Sequence, residues 1–288
     1  MLRIPGGEIP VRYFGNTKGG TVKGLISILS LAALSILLPA SASWAQLAAP
    51  NEAGVSGGHL HMNVQDVELN KKMWVTMGAI SAGKSGDNEI LKIPGILVLV
   101  RKRDSSGPTV GTVVNHVGVE VPNVQEAMAK WKAAGINVAA GSRPTQAYVT
   151  SPDGLRIEVL ENDKQTVPLA MHHIHFNVPE ASIPEIQAWY AKTFGAIPEK
   201  RGEIQGGQIP GTHLNFTKAT EPNVGTKGRA LDHIGFEVKG LEAFCKKLEA
   251  SGIKLDSPYN KLPSGNYNAF VTDPWGTYIE LTEGLSRM

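Results

Sequence analysis

Residues 231–238 read LDHIGFEV, and residues 173–178 read HIHFNV. In the first stretch Ile234, Phe236 and Val238 alternate with His233, Gly235 and Glu237. A period of two places the two sets on opposite faces of a strand with one packed face. The same pattern opens at His59 (HLHMNV) and at His116 (HVGVEV). Four registered copies make an internal repeat, and the organisation of the chain follows from it.

Each copy continues alike. A helix signal follows the strand, with Val124, Ala127, Met128 and Trp131 at helical spacing before Gly135, and Leu241, Phe244, Cys245 and Leu248 before Gly252. In the third copy Ser182 and Glu185 form a capping-box pattern, with the helix running through Trp189 and Phe194 to Gly195. The first copy is the least regular, with Val67, Trp74 and Met77 ahead of Gly78. Short strand signals come next, and they match between halves. IPGILVLV from Ile93 parallels IPGTHLNF from Ile209, and SPDGLRIEVLE from Ser151 parallels DPWGTYIELTE from Asp273. Each module therefore reads strand, helix, then about three strands. The expected organisation is a disordered linker at 46–58, a first domain at 59–163, a linker at 164–172 and a second domain at 173–288.

The 288 residues are long enough for two full cores. The lysines and arginines are scattered and the formal charge is only +2, so no nucleic-acid partner is expected. The single cysteine, Cys245, excludes an intramolecular disulfide framework, and its place in an apolar helical pattern reads as a buried structural thiol. Residues 1–45 differ in kind. Arg3, Arg12, Lys18 and Lys23 precede the apolar run GLISILSLAALSILLPA, and Ser43 and Ala45 flank Trp44. This pattern reads as a signal peptide cleaved near Ala45, giving a periplasmic or secreted protein with no membrane contact when mature. The alternative is a membrane anchor over residues 24–40, although the run is short for a bilayer span.

The chemistry lies in the combination of residues. A lone strand histidine, or Glu280 alone, is ordinary. Yet four of the eight histidines hold the same place in four modules, and glutamates stand at matching places in the second and fourth, Glu158 and Glu280. Leu99 and Asn215 hold the corresponding places in the first and third. Two imidazoles and one carboxylate from three strands can occupy one face of an octahedral metal, leaving positions for water, substrate or dioxygen. With neighbouring modules paired, the triads are His59, His116, Glu158 and His173, His233, Glu280. With module one on four and two on three, His59 joins His233 and Glu280, while His173 joins His116 and Glu158.

These residues resemble the vicinal oxygen chelate superfamily of glyoxalases, bleomycin-resistance proteins and extradiol dioxygenases. The resemblance runs over nearly all of the chain after residue 45. It implies an α+β fold of four βαβββ modules paired into two curled mixed sheets around metal. It also implies first-strand ligands His173 and His233 and last-strand ligand Glu280. Asn215, where four-ligand glyoxalase-like members place another ligand, points to the three-ligand dioxygenases with Fe(II) or Mn(II); Zn(II) or Ni(II) would accompany glyoxalase-like chemistry. The chain departs from the dioxygenase pattern at Phe270, where a tyrosine is expected, although Tyr148 holds that place in the first half. It also lacks a histidine in YNKLPSGNYNA, which leaves His213 as a substitute. The implied activity is a metal-dependent dioxygenase acting on a small oxygen-rich substrate. The alternatives are a lyase, isomerase or epimerase with Glu237 or His213 as base, and a binding or resistance protein without turnover. His61 and His175 share the ligand faces and are expected to support the ligands rather than to react. His172 is expected on the opposite strand face.

Overall fold

The computed structural model describes Pro10 and residues 47–287. Apart from Pro10, the expected signal segment and the alternative anchor lie outside these residues. Module one contains β1 (Val55–Val64), α1 (Val67–Met77), β2 (Ile80–Ser85), β3 (Asn88–Ile93) and β4 (Ile96–Lys102). Module two contains β5 (Val114–Val121), α2 (Val124–Ala133), β6 (Val138–Ala140), β7 (Gln146–Thr150) and β8 (Arg156–Glu161). Module three contains β9 (Ala170–Val178), α3 (Ile183–Phe194), β10 (Ile197–Arg201), β11 (Ile204–Ile209) and β12 (Thr212–Lys218). Module four contains β13 (Leu231–Val238), α4 (Leu241–Ala250), β14 (Ser257–Lys261), β15 (Tyr267–Thr272) and β16 (Tyr278–Glu283). This is the expected strand, helix and three strands, four times over.

The modules form two eight-stranded mixed sheets, ordered β14-β15-β16-β13-β1-β4-β3-β2 and β10-β11-β12-β9-β5-β8-β7-β6. Within a module the first strand lies parallel to the last, as β1 on β4 and β13 on β16, which a helical crossover permits. Between modules the two first strands run antiparallel, as β1 on β13 and β5 on β9. Module one is thus paired with four and module two with three. The contiguous spans 59–163 and 173–288 are not the sheet units, because each contributes one module to each sheet. The second of the two ligand groupings open in the sequence is the one the topology brings about.

One face of each sheet is apolar and packs on the helices. Leu60, Met62, Val64, Ile234, Phe236 and Val238 in one sheet, and Val117, Val119, Ile174 and Phe176 in the other, belong to a single buried cluster. Helix α3 joins the sheets, since Phe194 stacks near Phe236 (4.8 Å) and the Tyr190 hydroxyl donates to Asp273 (2.9 Å). The opposite faces carry the histidines. Cys245 is buried in α4, and desolvation pushes its thiol up to about 11, as suits a structural residue.

Three boundaries differ from expectation. Residues 47–58 are ordered against the body: Asn51 donates to Phe194 O (2.9 Å), and Val55–Gly58 already belong to β1. Gly57 and Gly58 carry no side chains, so the alternation becomes visible only at His59. The second linker shrinks because Ala170 and Met171 pair with Glu120 and Val119. Ser182 makes no side-chain cap, because a 3₁₀ turn over Glu180–Ser182 runs straight into α3 and already holds Ser182 in a helical conformation. By contrast, Asp66 and Asn123 cap α1 and α2, accepting from Leu69 N and Glu126 N.

Candidate metal centres

Each ligand histidine is reached through a β-bulge. The register of β1 on β13 runs Gly57↔Phe236 and then His59↔Gly235, leaving Gly58 extra. It shifts again between His61↔His233 and Met62↔Leu231, leaving Asp232 extra. On β5 and β9 the extra residues are Asn115 and His172. A bulge breaks strict alternation and turns the extra side chain beside its neighbour. Asp232 Oδ2 accordingly accepts from His233 Nδ1 (2.6 Å), and Asn115 Oδ1 contacts His116 Nδ1 (2.9 Å). His172 Nδ1 meets His173 Nδ1 (2.7 Å), so it supports the ligand instead of facing away as period-two reading placed it.

Glycine forms the seat opposite two ligands. A Cβ on Gly235 would come within 2.1 Å of the His59 ring, and one on Gly118 within 2.1 Å of the His173 ring. The HxG pattern of the even modules therefore makes room for the imidazole of the odd ones.

Two constellations result. In the first, Nε2 of His59 and Nε2 of His233 each lie 3.0 Å from Oε2 of Glu280. In the second, Nε2 of His116 and of His173 each lie 3.3 Å from Oε2 of Glu158, and 3.5 Å from one another. Donors held about 2.1 Å from one ion stand ~3.0 Å apart at right angles and ~3.4 Å apart at the tetrahedral angle. Both sets have the size a divalent ion requires. The expected ligands His59, His116, Glu158, His173, His233 and Glu280 are all placed in these two sets, three in each.

The surroundings differ between the two. At the first centre His59 Nε2 has only the Glu280 carboxylate near it, and both its ring nitrogens are buried without a hydrogen bond. Both nitrogens of His61 are likewise buried and unpartnered. Such groups are costly unless a ligand satisfies them. Asn268 donates to the outer oxygen of Glu280 (2.7 Å), leaving Oε2 for the histidines. Burial would raise the Glu280 carboxyl, but His233 and His59 hold it well below the usual range. Burial, then the neighbouring imidazoles, keep His61 neutral, far below its ordinary value. A cavity of about 480 Å³ opens in front, lined among others by His61, Leu99, Arg101, Phe270 and Tyr278.

At the second centre most polar groups satisfy one another. His175, the counterpart of His61, meets the Thr217 hydroxyl at Nε2 (2.8 Å), and burial pushes it down to about 2. Gln146 and Tyr148 both donate to Oε1 of Glu158. Asn215 accepts from Arg201. Burial would raise Glu158, but the contacts of His116 and His173 hold it low.

The remaining candidates divide. Tyr148 belongs to the second centre, its hydroxyl 3.3 Å from Glu158 and its ring beneath Arg156. His213 Nδ1 meets Glu199 Oε1 (2.7 Å), and the residue lines another cavity with Glu120 and His172, so it faces neither metal set. Glu237 is no free base: Thr282 and the backbone N–H groups of Gly284 and Ser286 donate to it. Sequence reasoning passed over Asp232, Asn268 and Arg101. Asp232 could be noticed only through its bulge, since alternation assigns it to the packed face.

Residues 171–281 match the Glyoxalase/Bleomycin resistance protein/Dioxygenase superfamily. That segment belongs to this superfamily, the one its histidine and glutamate strands resemble. It spans modules three and four, which lie in different sheets. Among solved structures, glyoxalase I from Zea mays superposes with a TM-score of 0.65 at 15% identity, over 81% of this chain and 94% of that one. A putative dioxygenase from Bacillus subtilis superposes at 0.60 with 12% identity, over 83% and 86% of the two chains. At such identities the likeness is one of fold. Comparison with curated proteins gives no match.

Proposed function

We propose that the protein is a metal-dependent enzyme of the dioxygenase type, with His59, His233 and Glu280 as its working centre and a small substrate that chelates through neighbouring oxygens. One observation carries this reading: the two-histidine, one-carboxylate face opens onto a 480 Å³ cavity while His59 Nδ1 and both ring nitrogens of His61 beside it are buried without a hydrogen-bond partner. Fe(II) or Mn(II), when bound there, would polarise substrate oxygens and carry electrons between substrate and dioxygen. The protein's own contribution is positional. Asp232 fixes the His233 tautomer so that Nε2 faces Glu280, and Asn268 turns the other Glu280 oxygen away. Leu99 and Phe270 give the cavity apolar walls. His61 stands beside the ligands, its donor atom within 4.8 Å of theirs, and as a buried neutral imidazole it can accept a hydrogen bond from a substrate hydroxyl.

The same imidazole supports a second reading, a lyase or isomerase in which His61 moves a proton beside a carbonyl and dioxygen takes no part. Anaerobic purification after metal-supplemented expression, followed by metal analysis and dioxygen-uptake assays on chelating aromatic diols, separates the two. Iron or manganese, lost in His233→Ala and accompanied by dioxygen uptake, is the expected result. Zinc or nickel with dioxygen-independent turnover of 2-oxoaldehyde adducts would favour the second reading, and absence of metal would overturn both. We also propose export, on the strength of residues 1–45; recovery from the periplasm of a chain beginning near Gln46 is the expected outcome of fractionation and N-terminal sequencing.

A further inference from the structure

The first cavity carries positive charge that its metal ligands do not use. Arg101, Arg103 and Lys227 all line it. The two carboxylates that also line it are committed: Asp232 to His233, Asn63 and the Gly228 N–H, and Glu280 to the histidines and Asn268. Lys227 rests over the Tyr278 ring at 4.3 Å. Arg101 is placed differently. Its Nε is buried with no acceptor among the described residues. Its register partner on β3 is Asn88, whose Oδ1 is buried with no donor. Among the described residues, six of the eleven buried side-chain atoms without a partner belong to His59, His61, Asn88 and Arg101, all lining this one cavity.

The other sheet provides an internal comparison. Asn63 pairs with Arg101 across β1 and β4, and Asn177 pairs with Thr217 across β9 and β12. Thr217 occupies the place of Arg101, and its hydroxyl is used by His175 and Asn177. Among the described residues of the two centres, only the first has a buried guanidinium nitrogen without an acceptor and, on its register partner, a carbonyl oxygen without a donor, the two not bonded to each other. A group that is missing on both counts, within one cavity, describes a ligand.

We propose that this cavity takes a small organic oxyanion bearing a neighbouring hydroxyl: a carboxylate or phosphate oxygen accepts from Arg101, and the hydroxyl donates to Asn88 Oδ1. The assignment rests on the reading of His59, His233 and Glu280 as the working centre, and it narrows the substrate from oxygen-rich to anionic. A guanidinium fork matches a carboxylate or phosphate bidentately, which a neutral diol does not exploit.

Calorimetric titration of the full chain tests it, with 2-hydroxybenzoate, benzoate, phenol and inorganic phosphate as probes, before and after chelator treatment. 2-Hydroxybenzoate is expected to bind more tightly than benzoate, and phenol much more weakly than either. Arg101→Gln should weaken the acids at least about tenfold and leave phenol unchanged, with partial recovery in Arg101→Lys. Thr217→Val, in the other sheet, should leave all probes unchanged. Displacement of 2-hydroxybenzoate by phosphate would extend the anion to phosphoryl groups, whereas no displacement would restrict it to carboxylates. Equal binding of phenol and 2-hydroxybenzoate, or acid binding unaltered in a folded Arg101→Gln protein, would overturn the proposal. Binding to the chelated protein and to His233→Ala separates the two ideas: acid binding that survives both stands even if no metal is found, and metal bound without acid binding removes only this inference.

Discussion

At the scale of single residues the site depends on contacts that admit little change. Gly235 is the tightest. Because an added Cβ would stand 2.1 Å from the His59 ring, Gly235→Ala must expel that ring from its seat. The expected outcome is a loss of ~1–3 kcal/mol in stability from overpacking, together with loss of metal from the first centre only. Denaturant midpoints and metal stoichiometry read both effects, and a variant that retains its full metal content would show that the seat does not matter. Asp232 acts through His233. Replacing a carboxylate behind a metal-bound imidazole lowers metal affinity about 10–100-fold, so Asp232→Asn should release metal to a competing chelator sooner than wild type, with the fold intact. Unchanged chelator competition would make the Asp232 contact a purely structural one. The ligands themselves were legible in the sequence because their spacing repeats, so His59, His116, His173, His233, Glu158 and Glu280 could be named without coordinates. Asp232 could not, since a bulge moves one residue across the strand faces and leaves no mark in the hydropathy pattern. The sequence places His61 on the ligand face, but it does not show that both His61 nitrogens lack the partner that Thr217 gives His175.

Elements were legible wherever one period holds over a whole segment. The first strands, all four helices and the Pro-Gly hairpins at 94–95 and 210–211 follow from alternation, helical spacing and turn residues. Those two hairpins meet: a Cβ on Gly95 would lie 2.6 Å from Gly211 O, and one on Gly211 2.8 Å from Gly95 O, a close approach that requires glycine on both sides. Two consecutive glycines hide the start of β1 from the alternation, and the Ser182–Glu185 motif does not cap α3. That difference has a measurable consequence. Asp66 accepts from Leu69 N at 2.9 Å, whereas Ser182 accepts no backbone N–H at its helix. Asp66→Ala should therefore cost ~1 kcal/mol, and Ser182→Ala should stay within about 0.5 kcal/mol of wild type. Equal losses in urea denaturation would mean that Ser182 caps α3 in solution after all.

Across the whole molecule, the repeats restricted the pairing without choosing it. Odd modules carry HxHxN and even modules carry HxGxE, and a complete centre needs one of each, since the glycine of one seats the histidine of the other. Pairing one with two and three with four satisfies this rule as well as pairing one with four and two with three. What separates them is the path of the chain. Only residues 162–169 connect β8 to β9, and β9 lies against β5, while β1 must wait for β13 before Val55 can pair with Val238. Cutting the chain within 162–169 therefore divides both sheets at their central strands. A fragment ending at 165 would keep β1 on β4 and β5 on β8 but leave the other edge of β1 and of β5 unpaired, and one beginning at 166 would leave β9 and β13 in the same condition. Each would expose a row of unpaired backbone groups beside an apolar strand face. Neither fragment is expected to behave as a folded monomer by size-exclusion chromatography with light scattering; each should self-associate or aggregate. Mixed together during refolding, they should recover a one-to-one complex with the circular dichroism and metal content of the intact chain. A monomeric fragment with cooperative unfolding of its own would mean that the contiguous halves are the folding units, and the pairing of His59 with Glu280 would fall with it.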